Sequence, residues 1–267
     1  MKSIKKTNTI NILNENNIYI FKFIFKIPNM SLEILNEIEL FLDFIEKEQK
    51  KKKEILIYIF EGNEKIFNLG GDLNYFITTI NNKNKNDLKE YAQKCIDLIY
   101  KNLTLKNVIS IAYLNGETRG GGFEMALSCD FIIGKEKQNI SLPEGIMGFF
   151  PGMGAFELLS KKIGVQKTKI FLIKNKNFTT EELYEYDIIY KIIKNRNELE
   201  KELKEIEKKK KIIIEYKKIE NRIENIKYKD LYQTTMEWVN FLMNLNEYEL
   251  KKIKRILNKQ NLIKNRK

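Results

Sequence analysis

The stretch "NGETRGGGFEMALSCD" (residues 115–130) decides how this chain is read. Three consecutive glycines, Gly120 to Gly122, run into an acidic residue, Glu124, and then into an apolar run of helical character. Composition makes the triplet informative. The chain has 13 glycines in 267 residues, all between Gly62 and Gly164, and the last 103 residues contain neither glycine nor proline. Glycines that survive in such a chain stand where backbone geometry demands them. A glycine-punctuated body and a long helical tail follow from this division.

Outward from the triplet, "VISIAYL" (108–114) reads as a buried strand feeding the turn, and "FIIG" (131–134) as the strand after it. Further upstream, "ILIYIF" (55–60) is a buried strand closing at Gly62, and "IYIFKFIFKI" (18–27) is a strand that Pro28 ends. Ser31 is placed to cap a helix whose Leu32, Leu35, Ile38, Phe41, Leu42 and Ile45 recur at helical spacing. In "LKEYAQKCIDLIYKNL" (88–103), Leu88, Tyr91, Cys95, Leu98 and Ile99 share one helical face. The low-complexity piece "NNKNKND" (81–87) reads as a mobile polar loop between helices, and Thr179 with Glu182 forms a capping box. From about residue 194 the pattern is helical, with a stripe through Leu231, Thr235, Trp238, Leu242 and Leu245 expected in the core or at a subunit interface rather than at substrate. Strands alternating with helices predict an α/β layered fold. The expected organisation is a core domain over 1–194 and a helical region over 195–267 used in packing and oligomerisation.

Composition removes several chemistries. No histidine is present, which excludes Ser-His-Asp and Cys-His nucleophile systems and most zinc sites, so acid–base work falls to carboxylates, lysines or tyrosines. Cys95 and Cys129 sit inside apolar helical patterns and read as buried thiols of a reducing compartment. The amino terminus lacks an apolar signal-peptide core, and the most apolar stretch carries lysines and is too short to span a bilayer, so a cytoplasmic protein without membrane contact is expected. The net charge of +12 is interleaved with glutamate, as in "NELEKELKEIEKKKKIIIEYKK" (197–218), which reads as a solvated helix face and not as a nucleic-acid surface. A basic surface also suits an acidic protein partner.

Three turns could carry chemistry: "FNLGGDL" (67–73), "RGGGFE" (119–124) and "LPEGIMGFFPG" (142–152). Each holds glycine at the end of an expected strand, where α/β sheets bind ligands. Neither the G-x-G-x-x-G nor the G-x-x-x-x-G-K-[ST] spacing occurs, and no G-x-S-x-G elbow exists. Two glycine turns can instead aim two backbone N–H groups at one oxygen, making an oxyanion hole. Glu124 and Glu144, brought near it, would suit proton removal beside a thioester carbonyl and protonation of a departing hydroxyl. Which of the two is acid and which is base stays open at this level.

Together the three turns resemble those of the enoyl-CoA hydratase/isomerase, or crotonase, superfamily. The resemblance rests on "GGD", on "NG-x-x-x-GGGFE-x-ALSCD" (115–130) and on "LPE-x-x-x-G-x-x-PG" (142–152). It implies a crotonase-type spiral of ββα units with a helical C-terminal region. It also implies catalytic roles for Glu124 and Glu144, oxyanion-hole N–H groups at Gly71 and Gly121, and substrate contacts at Leu69, Gly70 and Gly120. Within the superfamily, "FNLGGDLNYF", "GGGFEMALSCD", "FFPGMGAFELLSKKI" and "MEWVNFLMNL" are similar to the bacterial diffusible-signal-factor synthases of the RpfF type. That similarity implies dehydration of a 3-hydroxyacyl thioester on acyl carrier protein, then release of a cis-2-unsaturated fatty acid signal. No metal or redox cofactor is implied, the substrate being carried on phosphopantetheine of the carrier protein or on CoA. A homotrimer or other homo-oligomer is expected, and a sensor kinase is a further possible partner.

The sequence departs from the superfamily at "YDIIY" (186–190), where Asp187 replaces a usual glycine; aspartate tolerates left-handed backbone better than most residues. Arg119 could meet a phosphopantetheine or an acidic partner, but a surface salt bridge is the expected role. The alternative function is an ordinary enoyl-CoA hydratase/isomerase working on CoA thioesters. A catalytically silent binding protein is a third reading, and the presence of both glutamates speaks against it.

Overall fold

The computed structural model describes residues 2–15, 18–24, 29–63 and 65–265. Its centre is a seven-stranded sheet in the order β1-β2-β3-β4-β6-β8-β11. These strands are β1 (Lys2–Lys6), β2 (Ile10–Glu15), β3 (Ile18–Phe23), β4 (Leu56–Glu61), β6 (Val108–Leu114), β8 (Phe131–Lys135) and β11 (Lys191–Ile193). From β3 to β11 neighbouring strands run parallel, while β1 and β2 add antiparallel at the edge. Every residue of β4 and β6 is buried, because both faces of the sheet are covered and the sequence runs apolar without alternation.

Four short strands form a second sheet in the order β10-β9-β7-β5: β5 (Ile66–Asn68), β7 (Glu117–Arg119), β9 (Asn139–Ser141) and β10 (Phe178–Thr179). The chain therefore repeats one unit three times. A strand of the large sheet is followed by a strand of the small sheet and then by a helix: α2 (Leu73–Asn81) with α3 (Lys85–Thr104) after β5, α4 (Gly121–Leu127) after β7, and α5 (Glu144–Met147) after β9. Successive turns of this ββα spiral place three strand–helix junctions side by side, and these are the three glycine turns.

The main core lies between the large sheet and the helices. It includes Ile34, Leu35, Ile38, Phe41, Leu42 and Ile45 of α1 (Leu32–Lys52), capped at Ser31, whose hydroxyl accepts from the Ile34 N–H. The expected end of β3 at Pro28 lies outside the described residues. Beyond α5 come α6 (Ala155–Ile163), α7 (Val165–Lys174) and α8 (Thr180–Glu185), the last opened by the Thr179–Glu182 capping box. Asp187 adopts φ +61°, the left-handed backbone that aspartate tolerates better than most residues.

The helical tail consists of α9 (Arg196–Ile223), α10 (Tyr228–Met243) and α11 (Glu247–Asn265). On the far face of the sheet, Leu199, Leu203, Ile206 and Ile214 of α9 cover Ile57, Ile59, Ile109, Ile111 and Ile133. Two ion pairs fix its ends: Arg196 to Glu61 at 2.7 Å, and Lys217 to Asp130 at 2.8 Å. Helix α10 packs on α3 and joins the main core through Leu231, Thr235, Trp238 and Leu242. Cys95 and Cys129 are buried free thiols, both pushed up by burial. Among the described residues no helix is long and apolar enough to cross a membrane.

The "NNKNKND" segment differs from its reading as a loop. Helix α2 continues through Asn81, and Asn84 caps α3 by accepting from the Asp87 N–H at 3.2 Å. Only residues 82–84 connect the two helices. Asn84 acts as a helix cap, the other strong preference of asparagine.

Candidate active site

The first turn leaves β5 at Asn68. This buried side chain accepts from the Gly70 N–H at 2.8 Å and holds the turn from beneath. Gly70 has φ +86°, and a Cβ there would meet the Arg119 carbonyl oxygen at 2.8 Å, so the two glycine turns are in backbone contact. Asp72 then caps α2 by accepting from the Tyr75 N–H. In the second turn Gly120 has φ +45°, and a Cβ would lie 2.7 Å from Oε1 of Glu144. Glycine is needed twice over at that position, for the dihedral and for the carboxylate it makes room for. Gly121 is the first residue of α4; a Cβ on it would lie 3.7 Å from the Gly71 nitrogen. Among the described residues, neither the Gly71 nor the Gly121 N–H donates to a protein acceptor.

Glu124 is one turn into α4 and almost fully buried, with 2% exposure. Its Oε1 accepts from the Met153 N–H at 3.0 Å and the Ala155 N–H at 3.3 Å. The third turn supplies those donors: Gly152, Met153 and Gly154 (φ +98°) swing the backbone so that two N–H groups face the carboxylate. Glu144 enters the same cavity from the start of α5, and its Oε2 is buried without a hydrogen-bond partner among the described residues. The cavity is also lined by Leu69, Gly70, Gly71, Gly120 and Gly121, so all seven site residues expected from the sequence converge on one place, with Arg119 beside them.

Burial lifts Glu124 from the ordinary 4.5 to about 7, against the lowering effect of its two backbone donors. Burial lifts Glu144 further, to about 8, and the Glu124 charge adds to the rise. Between about pH 7 and 8 the pair therefore holds close to one proton. Glu144 holds it more tightly, because two backbone N–H groups favour the Glu124 anion, while Glu144 has only its own backbone N–H and faces the Glu124 charge. One group is thus a hydrogen-bonded anion and the other a neutral acid facing the same space, the arrangement needed for paired acid–base work.

Several lining residues were not found from sequence. Trp238 of α10 was assigned to core or interface; it is 2% exposed, yet it also forms part of the cavity wall. It seats on Gly152, where a Cβ would come within 2.1 Å of the indole, and meets Phe76 and Phe149 edge to face. Its stripe shows helical spacing, but spacing says nothing about which buried face borders a cavity. Ile256 of α11, Phe149 and Met153 line the same wall and carry no signal beyond being apolar. Arg119 pairs with Glu117 as expected, while also reaching the cavity rim.

The enoyl-CoA hydratase/isomerase family model matches residues 26–260. YngF of Bacillus subtilis is 30% identical over 164 residues, covering 60% of this chain and 58% of that protein. The short-chain-enoyl-CoA hydratase of Clostridium acetobutylicum is 28% identical over 155 residues, 57% of each chain. The chain thus spans little more than half the length of these curated relatives. The crystal structure of an enoyl-CoA hydratase from Bacillus halodurans superposes with a TM-score of 0.80 at 20% identity, over 92% of this chain and 99% of that one, which establishes the shared fold. On the family match, this chain is a member of the enoyl-CoA hydratase/isomerase family.

Proposed function

We propose that the chain interconverts 3-hydroxyacyl and 2-enoyl thioesters by adding or removing water. The observation that carries this reading is the pair Glu124 and Glu144, buried in one cavity with both carboxyls lifted by burial, beside the N–H groups of Gly71 and Gly121, which donate to no protein acceptor among the described residues. In the hydration direction, the Glu124 carboxylate takes a proton from water as the oxygen attacks C3. The thioester oxygen gains enolate character and is held by the Gly71 and Gly121 N–H groups. The Glu144 acid then protonates C2. Dehydration runs these steps backwards, with Glu144 removing the C2 proton and Glu124 protonating the departing hydroxyl.

A finer assignment within this chemistry is dehydration of a carrier-protein-bound 3-hydroxyacyl thioester, followed by thioester hydrolysis to a cis-2-unsaturated fatty acid. Its support is the similarity of "LGGD", "PGMGAFELL" and "MEWVNFLMNL" to the diffusible-signal-factor synthases, all three of which border the cavity. Hydrolysis needs a water activated by a carboxylate, since the chain has no histidine. The experiment is to supply matched 3-hydroxyacyl thioesters of acyl carrier protein and CoA and identify products by mass spectrometry. Free cis-2-enoic acid from the carrier-bound substrate supports the finer assignment. Trans-2-enoyl-CoA with no free acid refutes it and leaves the ordinary hydratase reading. No turnover of any thioester refutes both.

A further inference from the structure

The two N–H groups of the oxyanion hole are held in different ways. Gly121 is the first residue of α4, and the carbonyl of its own peptide, that of Gly120, accepts from the Phe123 and Glu124 N–H groups at 2.8 and 3.0 Å. The helix fixes that peptide plane by itself. Gly71 stands before the cap of α2, outside any helix, and its peptide joins two glycines, with Gly70 at φ +86°. Glycine on both sides of a peptide leaves its plane free to turn over. A turned plane would present the Gly70 carbonyl where a thioester oxygen has to be received, an acceptor in place of a donor.

Two residues from outside the turn hold it. The Met30 N–H donates to the Gly70 carbonyl at 2.7 Å. Across a trans peptide the C=O and N–H point opposite ways, so this contact aims the Gly71 N–H away from Met30. The catalytic cavity is lined by Gly71 and not by Met30. Met30 is in turn held by Tyr91 of α3, whose hydroxyl donates to the Met30 carbonyl at 2.6 Å and accepts from the Asp72 N–H at 3.4 Å. The three N–H groups of the turn thus divide. Gly70 donates to Asn68 and Asp72 to Tyr91, while Gly71 between them donates to no protein acceptor among the described residues. Tyr91 is 1% exposed, and burial pushes its phenol well above the usual range, so the hydroxyl keeps its proton and goes on donating through the neutral range.

We propose that Tyr91 is a positioning residue for the oxyanion hole: by bridging Met30 and Asp72 it holds the 70–71 peptide with its N–H, not its carbonyl, facing the substrate. The proposal rests on the thioester reading above. Tyr91 also packs, stacked on Tyr75 at 5.4 Å and edge-on to Phe76 at 5.2 Å between ring centres. Phenylalanine would keep that packing and lose only the bridge, which separates the two roles.

The test is Tyr91→Phe in the full chain, beside Tyr75→Phe, which removes a neighbouring hydroxyl that donates to the Asp87 carbonyl at 3.3 Å. In hydration of trans-2-octenoyl-CoA, Tyr91→Phe is expected to lose about tenfold to a hundredfold in kcat with KM changed less than about threefold, since an oxyanion contact strengthens toward the transition state. The pH profile of kcat/KM should match the parent's, because neither glutamate loses a partner. Octanoyl-CoA labelled with carbon-13 at its carbonyl gives the direct reading by infrared spectroscopy. The carbonyl stretch of the bound thioester should lie below its solution value in the parent and in Tyr75→Phe, and return toward that value in Tyr91→Phe. An unchanged stretch and kcat in Tyr91→Phe would overturn the proposal, as would a loss carried by KM alone, a displaced pH profile, or an equal loss in Tyr75→Phe. A parent whose bound carbonyl stretches at the solution value overturns it without any variant. If the parent turns over no 2-enoyl or 3-hydroxyacyl thioester, the thioester reading falls and this proposal with it. An active parent with an indifferent Tyr91→Phe removes the role of Tyr91 alone.

Discussion

Replacing Glu144 with Gln separates the stability of the site from its chemistry. A carboxyl lifted by burial from 4.5 to about 8 binds its proton more tightly in the folded chain than in the unfolded one. Its contribution is favourable at low pH, where both states are protonated. It is lost progressively as pH rises from the unfolded value through about 8, because the folded state then has to hold a buried charge. The full shift corresponds to about 5 kcal/mol at most. Gln cannot ionise, so the variant escapes this loss, though its amide leaves a buried donor unpaired at every pH, a penalty of about 1–3 kcal/mol. Comparing two pH values cancels that penalty. The melting temperature of Glu144→Gln relative to the parent should therefore be about 10 °C or more higher at pH 9 than at pH 5. Turnover should fall by about 10²–10⁴ with the circular-dichroism spectrum intact. Thermal melts at the two pH values, beside an assay of 3-hydroxyacyl thioester dehydration, provide the check. A stability difference independent of pH would refute the buried, lifted carboxyl, and unchanged turnover would refute its role.

The remaining expectations follow from the same geometry. The proposed hydration uses Glu124 ionised and Glu144 protonated, so kcat/KM should form a bell that falls below about 7 and above about 8, measured with a 2-enoyl thioester across pH 5 to 10; a flat profile would exclude the pair as the acid and base. Gly120→Ala forces a Cβ toward Oε1 of Glu144 at 2.7 Å in a φ +45° backbone, and should lower stability by about 1–3 kcal/mol and activity with it, read by urea unfolding and steady-state kinetics. Gly152→Ala drives a methyl into the Trp238 indole, and should shift tryptophan fluorescence and weaken substrate binding, since this is the chain's single tryptophan. Ile212, Tyr216, Ile219 and Ile223 form an exposed apolar row on α9 spaced by four, three and four residues; if that row serves subunit contact, Ile219→Glu should reduce the mass measured by light scattering.

Much of the fold was legible because its signals are local. Continuous apolar runs at 55–60 and 108–114 mark strands covered on both faces, and the Ser31 and Thr179 caps fall where side-chain chemistry put them. The short strands β5, β7, β9 and β10 were not, since two or three residues carry no periodicity and the small sheet exists only through pairing across the spiral. The same holds for the site. Gly120, Gly121, Glu124 and Glu144 could be named because a glycine-poor chain spends its glycines where backbone must approach closely. The donors to Glu124 could not, because they are backbone N–H groups of Met153 and Ala155, and any residue type has one. Trp238 and Ile256 reach the cavity from helices more than 90 residues beyond Glu144, a proximity that only the folding of the tail creates.

Where the single proton rests also bears on direction. Two backbone donors favour the Glu124 anion, and Glu144, whose Oε2 has no partner among the described residues, holds the proton more tightly, which is the state the proposed hydration would consume. Dehydration starts from the other arrangement, with the proton on Glu124 and charge on Glu144, and the free site holds this form as a minority. The enzyme cannot alter the equilibrium between hydroxyacyl and enoyl thioesters, but a dehydratase has to regain that minority form in each cycle. An acyl thioester that donates a hydrogen bond from its β-hydroxyl to Glu124 would shift the proton balance only while bound. A chain working mainly in dehydration should therefore show a substrate-bound pH profile for kcat displaced from the free-enzyme profile for kcat/KM. One working mainly in hydration should show the two nearly superposed.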